Sequence, residues 1–121
     1  MTQGGTILTI TYYGGEKVID HYNIMGHVKA ALEGTMRSLA VELGAQKIRV
    51  NAISPGPLKT RAGSGIAHFD ELIDAARLRA PEHSLVTIED VGSVAVMLAS
   101  DGARSVSGDV AYVDGALHVR A

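Results

Sequence analysis

An alternation of strand-forming and helix-forming segments along the whole chain is the feature that most limits what it can fold into. Residues 6–12, 48–54 and 110–113 are dominated by β-branched, aromatic and other apolar side chains, and glycine or proline follows each closely. This pattern predicts three strands, the first of them buried. Because strands that alternate with helices pair in parallel through right-handed crossovers, the sequence predicts an α/β fold built on a doubly wound parallel sheet.

The longest predicted helix lies between the first two strands, from about residue 22 to residue 43. Its apolar residues recur every three or four positions, which places them on one stripe of the helix. Asp20 is the expected N-cap and Gly44 the expected C-terminal stop. The stripe consists of Met25, Val28, Leu32, Met36, Leu39 and Leu43.

Two further helices are predicted between the second and third strands. The first covers residues 69–78. The second follows Thr87, which has capping-box spacing to Asp90, and it should end at Gly102. Its expected apolar face consists of Val91, Val94, Ala95 and Leu98.

Composition excludes several classes of protein. The 121 residues are 46% hydrophobic and 20% charged, with a net charge of −2, which is typical of a globular domain and argues against a nucleic-acid binder. Cysteine is absent, which excludes disulfides, thiolate-bound zinc and a cysteine nucleophile. With no apolar run of about 18 residues and no visible secretory signal, the expected compartment is the cytoplasm, with no membrane partner.

The position of the first strand predicts a larger domain. Only a few residues precede it. A parallel sheet needs helices on both faces, and a sheet of only three strands buries little apolar surface on either face. We therefore expect residues 1–121 to be part of a larger doubly wound domain. Ligands of such sheets bind beyond the carboxyl ends of the strands, so residues 12–14, 54–60 and 114–115 should all contribute to a site.

Tyr22 and Lys29 are candidate site residues because seven positions make nearly two helical turns, which places both on one helix face. A nearby ammonium favours the phenolate and would make Tyr22 a better proton relay. Chance alone supplies such a pair in about one chain in ten, so the spacing by itself is weak support.

The other titratable residues show no comparable pattern. The carboxylates of Asp70, Glu71 and Asp74 are expected to form a solvated acidic face. None of the histidines has metal-ligand spacing to another histidine or to a carboxylate, so no metal site is predicted. The five histidines are His21, His27, His68, His83 and His118.

Several motifs together resemble a known family. The chain is similar over essentially its whole length to the NADH-dependent enoyl-acyl-carrier-protein reductases, a branch of the short-chain dehydrogenase/reductase superfamily with a Rossmann-like fold. The motifs are Thr11-Tyr12-Tyr13-Gly14, Tyr22-Asn23-Ile24-Met25-Gly26 with Lys29, Arg49-Val50-Asn51-Ala52-Ile53-Ser54, Gly56-Pro57 and Thr87-Ile88-Glu89-Asp90-Val91-Gly92.

Two positions separate this branch from ordinary members of the superfamily. Those members carry lysine four residues after the catalytic tyrosine, where this chain has Gly26, and serine where it has Tyr12. Both differences favour reduction of an enoyl group. Reduction of a carbonyl group, as in an ordinary member of the superfamily, is the weaker alternative.

The resemblance implies roles for individual residues. Tyr22 corresponds to the tyrosine that binds the thioester carbonyl, Lys29 to the lysine that holds the nicotinamide ribose, and Tyr12 to a second active-site tyrosine. The implied cofactor-binding residues are Lys29, Leu58, Lys59, Thr60, Arg61 and Ala62. The residues implied to line the substrate pocket are Met25, Ile66, Phe69 and Leu72. Residues 63–72 correspond to the helix that covers the substrate.

The resemblance also implies a reaction and partners. It implies reduction of trans-2-enoyl-acyl-carrier-protein to acyl-acyl-carrier-protein by NADH in fatty acid biosynthesis. Family members form homotetramers, in which Ala30 and Gly34 of the long helix would contact a second copy.

One departure leaves an alternative open. The glycine-rich strand, turn and helix that cradle the cofactor in this family are absent from the 121 residues, and Met1 falls where the family often has an internal methionine. The alternative is therefore a truncated, non-catalytic fragment that at most associates with a full-length partner. We expect such a chain to aggregate, because the unpaired side of the first strand would be exposed.

Overall fold

The computed structural model describes residues 1–61 and 63–120. Three strands, β1 (Gly5–Ile10), β2 (Ile48–Pro55) and β3 (Val110–Val113), form one parallel sheet in the order β1-β2-β3. Three helices, α1 (Ile24–Leu43), α2 (Phe69–Arg79) and α3 (Ile88–Ala99), connect them. The predicted α/β fold with about three parallel strands and flanking helices is confirmed. No helix in the described ranges has the length and apolar character needed to cross a membrane.

β2 is the central strand, and more of its residues are buried than in β1 or β3. Val50 pairs with Ile7 of β1, and Ile53 pairs with Ala111 of β3. Every residue of β2 except Arg49 is buried. β1, in contrast, is only half-buried, and the prediction of a buried first strand is wrong, because within the described residues β1 pairs with β2 alone.

Polar residues of β2 hold the start of β3 in place. The Asn51 side chain donates to the Val106 carbonyl (2.9 Å) and accepts from the Asp109 amide (3.1 Å). Arg49 Nη1 donates to the Leu98 carbonyl at the end of α3 (2.7 Å). Because a buried amide must be hydrogen-bonded, Asn51 fixes the connection before β3 and with it the register of the sheet.

α1 packs its apolar stripe on the sheet. Met36 is 2% exposed and lies against Ile48, Val50 and Ala52 of β2. Leu39 and Leu43 pack at the edge of the same cluster, as their spacing predicts. Val28 is the exception, with 48% of its surface exposed. One buried cluster therefore lies between β2 and the second half of α1. A second consists of Tyr12, Tyr13, Tyr22, Ala76 and Leu117.

The ends of α1 differ from the prediction. α1 begins at Ile24, and Asp20 is not its N-cap. Asn23 precedes the helix with a φ of 53° and makes no side-chain capping bond. Gly44 ends the helix as predicted, but the left-handed turn towards β2 falls on Lys47, which has a φ of 59°.

α3 has the predicted capping box. Thr87 Oγ1 accepts from the Asp90 amide (3.1 Å), and Asp90 Oδ2 accepts from the Thr87 amide (2.8 Å). Leu98 of its apolar face is buried. The helix ends at Ala99 and not at Gly102, because Asp101–Ala103 form a separate turn of 3-10 helix.

Candidate functional site

A largely apolar cavity of about 510 Å³ opens at the carboxyl ends of β1 and β2. Residues that follow β1 and residues that follow β2 form two of its walls. The turn before α1 with the start of that helix forms a third wall, and the segment leading into α2 forms the fourth. The cavity therefore lies where ligands bind in open parallel sheets.

The structure brings most of the predicted site residues into this one cavity. Lys59 and Arg61 are exposed and are not among its lining residues, and Ala62 lies outside the described residues. The predicted residues that do line it are Tyr12, Tyr22, Met25, Lys29, Leu58, Thr60, Ile66, Phe69 and Leu72.

Tyr12 and Tyr22 form a buried aromatic pair in the cavity wall. They are 9% and 5% exposed, and their ring centroids lie 5.1 Å apart in an edge-to-face arrangement. The Tyr12 hydroxyl is buried and has no hydrogen-bond partner in the described part of the chain. Burial raises the pKa of both phenols above the usual value of 10.0, so both remain protonated donors at neutral pH.

Tyr22 lies in the turn before α1, not on the helix, so the argument from helical spacing is wrong for this residue. Residues with positive φ flank it, His21 (φ 65°) on one side and Asn23 (φ 53°) on the other. Its ring packs on Gly14, where an added Cβ would lie 2.5 Å from the ring. Close approach at Gly14, not helical periodicity, therefore positions the phenol.

Lys29 lies one turn into α1 and lines the cavity beside the end of β1. Its Nζ donates to the Ile10 carbonyl (3.1 Å). The expectation that this ammonium favours the Tyr22 phenolate is not met, because burial moves the pKa of Tyr22 in the opposite direction. Lys29 instead holds a fixed position against the strand end, with further N–H groups left to donate.

Gly26 has a structural reason for lacking a side chain. A Cβ at this position would lie 2.8 Å from the Gly14 carbonyl oxygen, so the first turn of α1 packs directly on the backbone that follows β1. A lysine four residues after Tyr22 would not fit there, whereas Lys29, three residues further on, reaches the cavity.

The wall after β2 closes on α2. Thr60 Oγ1 accepts from the Gly63 amide (3.0 Å). A Cβ at Gly63 would lie 2.8 Å from the Phe69 ring, so this glycine lets the first residue of α2 approach the loop. Phe69 and Leu72 of α2 thereby reach the cavity.

The end of β3 does not contribute to the cavity, contrary to the expectation for residues 114–115. Asp114 is buried, and its carboxylate accepts from the Ala116 amide (3.1 Å) and the His118 amide (3.0 Å). It also contacts His118 Nδ1 (2.9 Å). Asp114 is thus committed to the turn that follows β3.

Two histidines and a glutamate lie together in the structure, although the sequence shows no metal-ligand spacing among them. His21 lines the cavity, and its ring centroid lies 4.2 Å from that of His68. Ligand atoms of His21, His68 and Glu71 all lie within 4.8 Å of one another. Sequence spacing misses this group because tertiary folding, not a local motif, brings His21 to His68.

Comparisons with known proteins support one family. The family model described as Enoyl-(Acyl carrier protein) reductase matches residues 1–118. The protein named Enoyl-[acyl-carrier-protein] reductase [NADH] 1 of Rhizobium meliloti (strain 1021) is 52% identical over 118 residues, which cover 98% of this chain and 43% of that protein.

Solved structures give the same result. The Bacillus cereus enoyl-acyl carrier protein reductase, crystallised with NADP+ and indole naphthyridinone, is 46% identical with a TM-score of 0.94 over 100% of this chain and 47% of that chain. The Anaplasma phagocytophilum enoyl-(acyl-carrier-protein) reductase in complex with NAD is 45% identical with a TM-score of 0.91 over 100% and 44%. The chain thus spans less than half the length of these relatives.

Proposed function

Because the chain belongs to the enoyl-(acyl carrier protein) reductase family, we propose that it carries the nicotinamide-binding and acyl-binding half of a site that reduces trans-2-enoyl-acyl-carrier-protein with NADH in fatty acid biosynthesis. One observation carries this proposal: Tyr12, Tyr22 and Lys29 line the same largely apolar cavity at the carboxyl edge of the sheet. In this proposal residues 1–121 form the carboxyl-terminal part of one short-chain dehydrogenase/reductase domain.

The residues present fit the nicotinamide half of the cofactor. The buried Tyr12 hydroxyl lacks a partner among the described residues, and Lys29 has N–H groups beyond the one that it donates to Ile10. Lys29 would hold the ribose, and Leu58 and Thr60 would lie beside the nicotinamide. When bound, NADH supplies the hydrogen and the two electrons that reduce the β-carbon of the enoyl thioester.

Tyr22 acts on the substrate. Reduction at the β-carbon places negative charge on the thioester oxygen, and the Tyr22 phenol donates a hydrogen bond to that oxygen as the charge develops. With the usual pKa of 10.0 a phenol is already protonated at neutral pH, and burial raises the pKa of Tyr22 further, so the proton that this role requires is present. A donor fixed in a water-poor wall stabilises such charge more than water does, and a proton added at the α-carbon completes the reduction.

The remaining cavity wall provides for the acyl chain. Apolar side chains from α1, from the loop before α2 and from α2 itself exclude water from the reacting carbons; these are Met25, Ile66, Phe69 and Leu72. The proposal includes acyl-carrier protein as the carrier of the substrate and the cytoplasm as the compartment.

A homotetramer is also part of the proposal. Ala30 on α1 is exposed, and a Cβ at Gly34 would meet nothing within 4 Å, so this face of the helix has room for a second copy.

The proposal is tested with a chimera in which residues 1–121 replace the matching part of the Bacillus cereus reductase. We expect the chimera to oxidise NADH only when a crotonyl thioester is present. NADPH is run in parallel, since the Bacillus cereus crystal contained NADP+. A folded chimera that binds NADH but shows no thioester-dependent oxidation would contradict the proposed reaction and favour a non-catalytic role for this segment.

A further inference from the structure

Two histidines and a glutamate converge beside the cavity mouth, although the proposed reduction uses none of them. His21 lies in the turn before α1, His68 immediately before α2, and Glu71 in the first turn of α2. Their ligand atoms lie within 4.8 Å of one another, and all three residues are exposed. We propose that His21, His68 and Glu71 bind a divalent transition metal of the zinc class.

The donor set suits such an ion. Two imidazoles and one carboxylate, with a fourth position left to water, are a set that zinc uses in proteins. Bonds of about 2.0–2.2 Å in tetrahedral geometry separate ligand atoms by roughly 3.3–3.5 Å, which is closer than the group lies now. Because all three side chains are exposed, rotation about their side-chain bonds can bring them to that separation.

The three side chains do not satisfy one another through hydrogen bonds. His68 Nδ1 lies 3.6 Å from the Glu71 carboxylate, which is too long for a hydrogen bond. The two imidazoles lie side by side with an angle of 33° between their planes. The group therefore keeps donor atoms available for an ion.

The local backbone favours this convergence. His21 and His68 both have left-handed backbone, with φ values of 65° and 58°, so the chain turns sharply at each of them. Tyr22 follows His21 and Phe69 follows His68, and both of these neighbours line the cavity. A bound metal would therefore link the wall that carries Tyr22 to the wall formed by α2.

The test is calorimetric titration of the Bacillus cereus chimera, which carries all three residues, with Zn²⁺, together with visible absorption of the Co²⁺ form. The variants are His21→Asn, His68→Asn and Glu71→Gln, since asparagine tolerates the left-handed backbone of both histidines. His83→Asn is the matched control, because His83 is an exposed histidine with a φ of 54° and does not belong to the group.

We expect one Zn²⁺ per chain and a tetrahedral Co²⁺ spectrum. Each of the three variants should weaken binding at least tenfold, because loss of a residue that only supports a metal ligand already costs about 10–100-fold in affinity. His83→Asn should bind like the parent. The proposal is overturned if the folded parent binds no Zn²⁺. It is also overturned if His83→Asn loses as much Zn²⁺ affinity as the three variants do. Because the readout involves neither NADH nor a thioester, failure here is distinct from failure of the proposed reduction.

Discussion

The rings of Tyr12 and Tyr22 meet edge to face with their centroids 5.1 Å apart, although one follows a strand and the other precedes a helix. Gly14 makes this possible, because any side chain there would strike the Tyr22 ring. The pair brings a buried hydroxyl-bearing ring from each of two walls into one cavity, and the Tyr12 hydroxyl has no partner within the described residues.

Tyr22→Phe in the Bacillus cereus chimera should lower the turnover number by about 10²-fold and leave NADH affinity nearly unchanged. The physical reason is that the phenol stabilises charge that exists only as the reaction proceeds, and losing one such donor costs about that factor. Stopped-flow or steady-state oxidation of NADH measures turnover, and fluorescence titration measures affinity. Tyr112→Phe is the control, since Tyr112 bonds to Glu16 outside the cavity lining. Equal turnover in the Tyr22→Phe variant and the parent would remove Tyr22 from the mechanism.

Lys29→Ala should weaken NADH binding in the same chimera as well as slow the reaction. Hydrogen bonds to a charged group contribute about 1.5–3 kcal/mol, so the dissociation constant should rise by about tenfold or more. Lys17→Ala is the comparison, because Lys17 is exposed and donates to the His118 carbonyl away from the cavity. A dissociation constant within twofold of the parent value would show that Lys29 serves only the Ile10 carbonyl.

Much of the fold could be predicted because its signals are local. Side-chain shape and periodicity locate β2, β3 and α2 to within about a residue, and the Thr87–Asp90 spacing identifies the start of α3. The half-burial of β1 could not be predicted in the same way. Burial depends on which strands lie alongside, and the strand's own composition carries no such information.

Most residues that line the cavity could be named from the sequence, but their geometry could not. The family resemblance names Tyr22, but its position depends on positive φ values at His21 and Asn23, two residue types that do not demand them. The direction of the Tyr22 pKa shift likewise follows from burial in the finished wall. His21 and His68 meet only after folding, so no local spacing could indicate them.

Thr87→Ala should lower the free energy of unfolding by about 1 kcal/mol. The substitution removes the Thr87 Oγ1 acceptor and leaves the Asp90 amide at the start of α3 without its capping partner. Urea denaturation followed by circular dichroism measures the change. Thr35→Ala, on the exposed face of α1, is the control and should change stability by less than about 0.5 kcal/mol. Equal losses in the two variants would mean that the capping box contributes nothing.

The 121-residue chain by itself should associate and show no saturable NADH binding. β1 has one unpaired edge within the described residues, and Ile10 at its end is 49% exposed, which favours pairing with another chain. Light scattering coupled to size exclusion measures the mass, and fluorescence titration tests binding. Ile10→Lys should shift the distribution towards smaller species. A monomeric parent chain that binds NADH would contradict this prediction.

Glu33→Gln should raise stability at neutral pH, because Glu33 is a buried carboxyl on α1 that is 4% exposed. Burial, aided by the charge of Glu16, raises its pKa above the usual 4.5. Between the unfolded and folded pKa values the folded chain binds more protons, so stability falls as pH rises from about 4.5 through the folded pKa. Urea unfolding from pH 4 to pH 8 should show this decline in the parent and in Glu42→Gln, an exposed site on the same helix, but not in Glu33→Gln. An identical decline in all three proteins would assign it to other groups.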